Sequence, residues 1–440
     1  LLVLLGVHLF LLMNLKFTAW PEMLSYPYLR NYGYLLYKDM IHPYPPVLTI
    51  TLSIIYKLFG YKLIVLKVFT WLIILTNDVL IFLITRKMVN SERWSVISVL
   101  FYVLIQPFLE GNQLWFDLAI VPTILLSTYY ILQKKYFLSG LLLGVAILTK
   151  QTAGLFLVAS VLWLVISERN FKKVLVLLIG PIILFLVLVL RLITENALAG
   201  FFNWTLIYPF VWWSKFPGYV QMAITHKQLF ILFLLVLPVI LLILKLRRNF
   251  FRDKNLILLV SSLLVSSLLV YPRFSFFHFQ IALAFISIIF GLTISKFNQS
   301  KFSYVLCTLY FVLIAVFIIK PATTDWGKEV RFWGREEEKS AEAIRGKTNP
   351  KDLVYLLGPQ SALYVLSERL PPKPWTDNYV WYLEIPGVQE EIIKRWDGNK
   401  PVMVFTGNIQ EGNWYDLGTY RPQKIVDWIR NENIEISILK

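Results

Sequence analysis

The feature that most constrains this chain is the placement of its basic residues between long apolar runs. Clusters of Lys and Arg occur at every second gap between those runs, and the gaps in between hold only isolated polar residues. Because cytoplasmic loops of membrane proteins collect Lys and Arg, the alternation predicts a chain that crosses a membrane many times. The clusters are Arg86-Lys87-Arg93, Lys134-Lys135, Arg169-Lys172-Lys173, Lys245-Arg247-Arg248-Arg252-Lys254 and Lys296-Lys301.

The composition favours the same class of protein and argues against two others. Apolar residues make up 57% of the 440 residues and charged residues only 16%, whereas a soluble domain needs more polar surface to cover its core. The net charge of +16 would suit a nucleic-acid-binding protein, but most basic residues lie in short loops beside apolar runs. These basic residues are better explained by the orientation of the chain in the membrane and by contact with anionic headgroups. We therefore expect membrane lipids, and no nucleic acid, as partners.

The apolar runs predict an all-α polytopic membrane domain over residues 1–320. A bilayer-spanning helix needs about 20 mostly apolar residues, which gives about eleven spans with the first running outward. The run from Val47 to Phe59 is too short for a span, and we expect it to lie as a helix at the interface. The candidate spans are 1–16, 62–85, 94–109, 114–133, 136–149, 152–168, 173–192, 229–246, 256–271, 277–295 and 302–319.

Residues 325–440 differ in character, because they are charged and contain no run long enough to span a membrane. Helical patterns alternate there with short apolar strands: Asp352 to Leu357, then the helix from Val388 to Trp396, then Pro401 to Phe405. Such an alternation is typical of a small α/β domain. The charge pattern places this domain on the external side of the membrane.

The same pattern gathers the remaining polar residues at the external ends of the spans, where they form a candidate active site. Glu22 and Asp39 lie in the first external segment, among aromatic residues that could raise the pKa of a carboxylate and suit it to act as a base. The alternative is that both are ordinary solvated acids. Asp117 opens the span 114–133, where it either complements the helix dipole or serves as a third candidate catalytic acid.

Three cationic or titratable residues are candidate substrate-binding groups at the same face. Lys150 interrupts the apolar runs 136–149 and 152–168, where it either binds an anion or reaches the headgroups. Arg273 suits phosphate recognition because its guanidinium can bind two phosphate oxygens. His278 is a conceivable metal ligand, yet no second His or Cys stands at ligand spacing. We expect no resident metal, with a divalent ion as the alternative.

Several segments, in order along the whole chain, resemble the GT-C glycosyltransferases. The resemblance is to the bacterial relatives of the dolichyl-phosphate-mannose protein mannosyltransferases and to the lipid A aminoarabinose transferases. The residues that carry it are Gly33-Tyr34-Leu35-Leu36-Tyr37-Lys38-Asp39, Pro43-Tyr44-Pro45-Pro46, Leu58-Phe59-Gly60, Gly144-Val145-Ala146-Ile147-Leu148-Thr149-Lys150 and Pro272-Arg273-Phe274 with His278.

The resemblance implies a bacterial inner-membrane enzyme that transfers a sugar from a polyprenyl-phosphate donor to a protein, lipid or glycan acceptor outside the cytoplasm. The family carries its catalytic acid in the first external loop, usually as an Asp-Glu pair, and this chain has Pro21-Glu22 there. The base therefore stays open between Glu22 and Asp39. Lys150 and Arg273 would stabilise the phosphate as its charge grows, and a single displacement would invert the anomeric centre.

Two other functions stay open at the level of the sequence. A transporter or flippase for a lipid-linked sugar would keep its binding groups near the midplane of the membrane, and Asp78 is the residue placed there. A non-catalytic membrane scaffold that presents the α/β domain is the third reading.

Overall fold

The computed structural model describes residues 1–297, 301–407, 420 and 422–439, and most of them are helical. The helical segments lie where the apolar runs predict them, and short turns join most of them. The α-helices up to residue 325 are Leu2–Asn14, Glu22–Asn31, Val47–Phe59, Leu63–Val89, Glu92–Ile105, Phe116–Leu132, Tyr136–Ile147, Gly154–Trp163, Phe171–Thr194, Leu198–Phe202, Tyr208–Val211, His226–Leu246, Lys254–Leu268, Gln280–Phe297 and Lys301–Asp325.

Every predicted span overlaps one of these helices, and the short helix Val47–Phe59 has the predicted bounds. Within the described residues, five segments are long and apolar enough to cross a membrane, and five apolar helices are shorter. The all-helical membrane part is confirmed as a class, whereas the count of about eleven spans stays a prediction. The five long segments are Leu63–Val89, Gln151–Glu168, Phe171–Thr194, His226–Arg252 and Phe276–Phe297.

The C-terminal residues form the predicted alternation of helices and strands. The strands β1 (Val354–Leu357), β2 (Met403–Thr406) and β3 (Glu435–Ile438) form one parallel sheet in that order. Parallel neighbours need a crossover connection, and the helices in the intervening segments fit this role. These helices are Ala362–Ser367, Val380–Leu383, Val388–Trp396 and Gln423–Asn431, and a further helix, Arg335–Lys347, precedes β1.

The chain divides into two compact units, each built from separate stretches of sequence. The first unit contains Leu1–Phe17, Lys67–Val187 and Gln221–Lys328, and the second contains Thr18–Leu66, Leu188–Val220 and Glu329–Lys440. The predicted domains, 1–320 and 325–440, were separated by their apolar and charged compositions, and this division stays a prediction. The second unit joins the first predicted external segment to the C-terminal residues. For example, the backbone N–H of Ile41 donates to the carbonyl of Trp375 at 2.9 Å.

In the first unit, small residues let helices approach closely. A Cβ atom added to Gly140 would lie 1.8 Å from the carbonyl oxygen of Leu177, and one added to Gly180 would lie 2.3 Å from the backbone nitrogen of Leu141. The helices Tyr136–Ile147 and Phe171–Thr194 therefore cross with backbone against backbone, a packing that small residues make available in membranes. This crossing holds in place the helix Tyr136–Ile147, which ends just before Lys150.

Candidate active site

Three of the predicted site residues form one cluster in the first unit. Lys150 Nζ donates to Asp117 Oδ1 at 2.6 Å, and His278 Nδ1 lies 2.8 Å from Asp117 Oδ2. Asp117 belongs to the first turn of the helix Phe116–Leu132, and Lys150 follows the end of the helix Tyr136–Ile147. His278 lies in the short 3-10 helix Phe276–Phe279. The tertiary structure thus brings together residues from three separate connections.

The cluster is shielded from solvent, and this decides what its charges do. Asp117 is fully buried and Lys150 is 7% exposed, so each charge needs the other as its partner. A carboxylate that accepts from Nδ1–H of His278 also fixes the imidazole tautomer. Nε2 is then the ring nitrogen that is left for a ligand. Asp117 is therefore better placed to orient Lys150 and His278 than to act as a base itself.

Arg273 lies in the connection that also carries His278. Its backbone N–H donates to the carbonyl of Val270 at 3.1 Å, and its side chain is partly buried. In the same connection, the backbone N–H of Phe277 donates to Glu110 Oε2 at 3.2 Å, and the Ser275 hydroxyl donates to the same oxygen. These bonds tie the connection to Glu110. Convergence of Arg273 and Lys150 on one phosphate stays a prediction.

The second unit holds a different acidic site around Glu22. Glu22 is 5% exposed and Asp377, from the C-terminal residues, is 6% exposed. The Tyr379 hydroxyl donates to Glu22 Oε1 at 3.1 Å, and the Tyr26 hydroxyl donates to Asp377 Oδ2 at 3.1 Å. Two buried carboxylates therefore lie close together, each with a tyrosine as hydrogen-bond donor.

Burial decides the protonation of this pair. Burial first, and then the nearby charge of Glu22, raise the pKa of Asp377 to about 8, although hydrogen bonds from Ser361 and Tyr26 oppose the rise. Two carboxylates that share a buried site cannot both ionise at neutral pH without a large cost. The pair is therefore expected to hold one proton near neutral pH, so that the ionised carboxylate can accept another.

Asp39 lies in the second unit too, in a different setting. Arg395 Nη2 contacts Asp39 Oδ1 at 3.0 Å, Lys373 Nζ lies 3.5 Å from Oδ2, and the backbone N–H of Leu35 donates to Oδ2 at 3.1 Å. Two cations and an amide thus contact this carboxylate. They make Asp39 a contact between the first segment and the C-terminal residues, and a weaker candidate for the base than Glu22.

The intramembrane acid Asp78 has a partner that the sequence analysis did not single out. His8 Nδ1 lies 2.8 Å from Asp78 Oδ2, His8 Nε2 lies 3.2 Å from Gln106 Oε1, and Gln106 Nε2 donates to Gln280 Oε1 at 3.0 Å. All four side chains are at most 1% exposed. This network links four helical segments of the first unit, which gives Asp78 a structural role.

Sequence reasoning missed Tyr26, Asp377 and Tyr379. The dense run of polar and aromatic residues from 375 to 379 could have marked the segment as unusual. Nothing in the sequence pairs it with Glu22, because Tyr379 and Glu22 are 357 positions apart. Only the packing of the second unit reveals that contact.

The described residues do not fit a bound metal ion. Among them, no three His, Cys, Asp or Glu side chains stand together as a ligand set. His278 and Asp117 do meet, but the ammonium of Lys150 occupies one oxygen of Asp117 and would compete with a cation there.

These helices and the mixed second unit define a fold that known proteins share. A family model described as dolichyl-phosphate-mannose-protein mannosyltransferase matches residues 42–192. No curated protein sequence matches the chain at a significant level. The family match spans the helix Val47–Phe59, Asp117 and Lys150, and it ends before Arg273 and His278.

Solved structures extend the similarity over most of the chain. ArnT of Cupriavidus metallidurans in the apo state is 13% identical, with a TM-score of 0.57 and 84% of each chain covered. The same protein bound to undecaprenyl phosphate gives a TM-score of 0.55 at 11% identity, with 98% of this chain and 90% of that chain covered. The archaeal oligosaccharyltransferase AglB of Archaeoglobus fulgidus gives 0.54 at 11% identity, with 80% of this chain but 59% of AglB covered.

The chain therefore shares its fold with ArnT and AglB, which agrees with the resemblance carried by the sequence motifs. Identities of 11% to 13% establish the fold alone, so substrate and mechanism have to be argued from the residues.

Proposed function

We propose that the chain is a membrane glycosyltransferase that transfers a sugar from a polyprenyl-phosphate donor to a hydroxyl group of an extracytoplasmic acceptor. The shared fold with ArnT, which has been solved with undecaprenyl phosphate, supports the donor class. The acceptor is a protein, lipid or glycan. The same proposal includes about eleven spans, an external C-terminal region and the inner membrane of a bacterium.

The observation that carries the proposal is the buried pair of Glu22 and Asp377. Glycosyl transfer from a lipid phosphate needs no general acid, because phosphate is already a good leaving group. It does need a base that takes the proton of the acceptor hydroxyl. A pair of carboxylates that holds one proton supplies this base, and we assign the role to Glu22. Tyr379 would then orient its carboxylate through the 3.1 Å hydrogen bond.

The proposed reaction is one displacement. The acceptor oxygen forms a bond to the anomeric carbon while the bond from that carbon to the phosphate oxygen breaks. The electron pair leaves with the phosphate, and the hydroxyl proton goes to Glu22. Attack from the face opposite the leaving group inverts the anomeric centre. Growing charge on the phosphate would be stabilised by Lys150 and Arg273, with Asp117 holding Lys150 and His278 in position.

The test is turnover by the purified full chain in liposomes that contain undecaprenyl-phosphate sugars. Release of undecaprenyl phosphate, dependent on an acceptor and lost in Glu22→Gln, would support the proposal. The alternative, a transporter of lipid-linked sugars, rests on Asp78. Movement of an intact labelled donor across the bilayer, unaffected by Glu22→Gln and lost in Asp78→Asn, would favour that alternative. A scaffold would show neither activity.

A further inference from the structure

A cavity of about 140 Å³ lies within the second unit, away from the acidic pair just described. One wall is the turn that follows the helix Glu22–Asn31, and another is the end of the helix Phe171–Thr194. Two arginines, Arg30 and Arg191, line the cavity, with Glu195 as its single acid. The three formal charges sum to +1, so the cavity is suited to an anion.

Each of the two guanidinium groups donates one hydrogen bond to a neighbouring side chain. Arg30 Nη1 donates to the Ser53 hydroxyl at 2.8 Å, and Arg191 Nε donates to Glu195 Oε1 at 2.9 Å. A guanidinium carries five N–H donors, and each of these bonds uses one. Within the part of the chain that the structure describes, the remaining donors of both arginines have no hydrogen-bond partner. They are therefore left for a ligand.

The two arginines also affect each other electrostatically. Burial lowers the pKa of Arg30, and the positive charge of Arg191 lowers it further. Like charges repel, and an anion bound between the two guanidinium groups would convert the repulsion into two attractions. A guanidinium can bind two oxygens of one phosphate in its plane, and two guanidinia can hold one phosphate from both sides.

Much of the remaining lining is apolar, and exposed apolar side chains lie on the helices that supply it. Ile50, Leu188 and Leu192 line it. On the same two helices, Leu58 is 71% exposed and Leu190 is 65% exposed. Large apolar side chains this exposed, at the end of a segment apolar enough to span a membrane, are expected where the headgroups begin. A ligand at this depth would be a lipid whose chain covers these residues.

We propose that Arg30 and Arg191 bind the phosphate group of a membrane lipid, with its hydrocarbon chain along Ile50, Leu188 and Leu192. Glu195 positions Arg191 through Nε, which leaves the two terminal nitrogens of that guanidinium for the phosphate. The net charge of +1 favours a phosphate group, which carries one negative charge in a phospholipid diester and up to two in polyprenyl phosphate, a monoester. Two sources share this chemistry: an anionic phospholipid of the bilayer and the polyprenyl phosphate itself.

The proposal does not depend on turnover, so binding is measured directly. The full chain, released from detergent into a mass spectrometer, is titrated with dioleoylphosphatidylglycerol, undecaprenyl phosphate or dioleoylglycerol, which lacks the phosphate. The variants are Arg30→Gln and Arg191→Gln. The matched control is Arg335→Gln in the same unit, because the side chain of Arg335 is 86% exposed and does not line the cavity.

We expect about 10- to 100-fold weaker retention of a phosphate-containing lipid in each cavity variant, as for the loss of a charge-assisted contact. Arg335→Gln should bind as the unchanged chain does. Loss confined to phosphatidylglycerol identifies a bilayer phospholipid, and loss confined to undecaprenyl phosphate identifies the polyprenyl carrier.

Equal retention of both phosphate lipids by all variants, or retention of dioleoylglycerol as strong as that of the phosphate lipids, would overturn the site. Arg30→Lys and Arg191→Lys keep the charge, and they guard against a variant that fails to fold. They should recover part of the binding if the arginines contact phosphate. Unchanged binding in the folded Gln variants refutes the proposal even if the enzyme proves active.

Discussion

Nζ of Lys150 lies 2.6 Å from Oδ1 of Asp117, and the two side chains, 33 positions apart in sequence, are buried together in the first unit. An ion pair in this setting is costly to break, because the partner that stays behind is a buried charge without compensation. Lys150 therefore has two separable roles: to neutralise Asp117, and, as proposed, to contact the donor phosphate. The first prediction separates them.

Lys150→Met should destabilise the chain by about 3–5 kcal/mol, because it leaves the Asp117 carboxylate buried without its cation. Adding Asp117→Asn should restore much of that stability, and thermal unfolding in detergent measures both. If Lys150 also contacts phosphate, the restored double variant should still bind the donor about 10- to 100-fold more weakly. Equal donor affinity in the double variant and the unchanged chain would leave Lys150 with the neutralising role alone.

Glu22→Gln keeps the size of the side chain and removes its ability to accept a proton. If Glu22 is the base, turnover should fall by about 10²- to 10⁴-fold while donor binding is largely kept. Asp39→Asn is the matched control, because it removes a carboxylate of the same segment that is already paired with Arg395 and Lys373. Its effect should be on stability. The reverse result, loss of turnover in Asp39→Asn only, would move the base to Asp39.

Asp377 links stability to pH in a direction that can be worked out. Its pKa rises from an ordinary 3.8 to about 8 in the folded chain, so the folded state binds a proton more tightly than the unfolded state. This contribution to stability is complete below about pH 4 and is lost as the pH rises through about 8. Asp377→Asn mimics the protonated acid and should flatten the pH dependence of the melting temperature over that window.

The same substitution tests whether Asp377 acts on Glu22. In the unchanged chain, Asp377 loses its proton near pH 8, which places a second negative charge beside Glu22 and should change turnover there, whereas Asp377→Asn stays neutral and should lack that change. A variant of Asp377 with an unchanged pH–rate profile would show that the two carboxylates are not coupled in catalysis.

Gly140 should tolerate no side chain. Gly140→Ala would force a Cβ to within 1.8 Å of the Leu177 carbonyl, which cannot retreat without separating two helices. We expect a loss of more than about 3 kcal/mol, above the usual cost of overpacking, because the obstacle is backbone. Gly6→Ala is the control: a Cβ there meets nothing within 4 Å, and alanine favours the helix Leu2–Asn14. Similar melting temperatures for the two variants would contradict this packing.

Cysteine labelling can test the orientation in the membrane. Cys307, the single cysteine of the sequence, is first removed by Cys307→Ser. Cysteines at Lys134, Asn170 and Asn249 should be protected from impermeant thiol reagents in intact cells, because basic clusters mark the cytoplasmic side. Cysteines at Asn399, or at Asn408, which lies outside the described residues, should react. Labelling at Asn170 together with protection at Asn399 would reverse the topology and place the candidate site on the wrong side.

Local patterns were sufficient to locate most elements of this fold. The helix Val47–Phe59 and the helix Val388–Trp396 have the bounds predicted for them, because apolar periodicity and the residues that end helices are local properties. The interruption of two apolar runs at Lys150 marked the connection between them, and the same reasoning found Asp117, Lys150 and His278 as separate candidates. It did not show that they are partners.

Tertiary structure decided which of the polar side chains contact one another. The sequence by itself determined a helical membrane protein with a small α/β region, and it gave a set of polar residues at predicted external span ends. Only the packing of distant segments decided that Asp117 holds Lys150 and His278, that His8 contacts Asp78, and that Asp377 lies beside Glu22. The physical reason is that the state of a buried charge depends on its neighbours in space. Residues hundreds of positions apart supply those neighbours, and no local pattern encodes them.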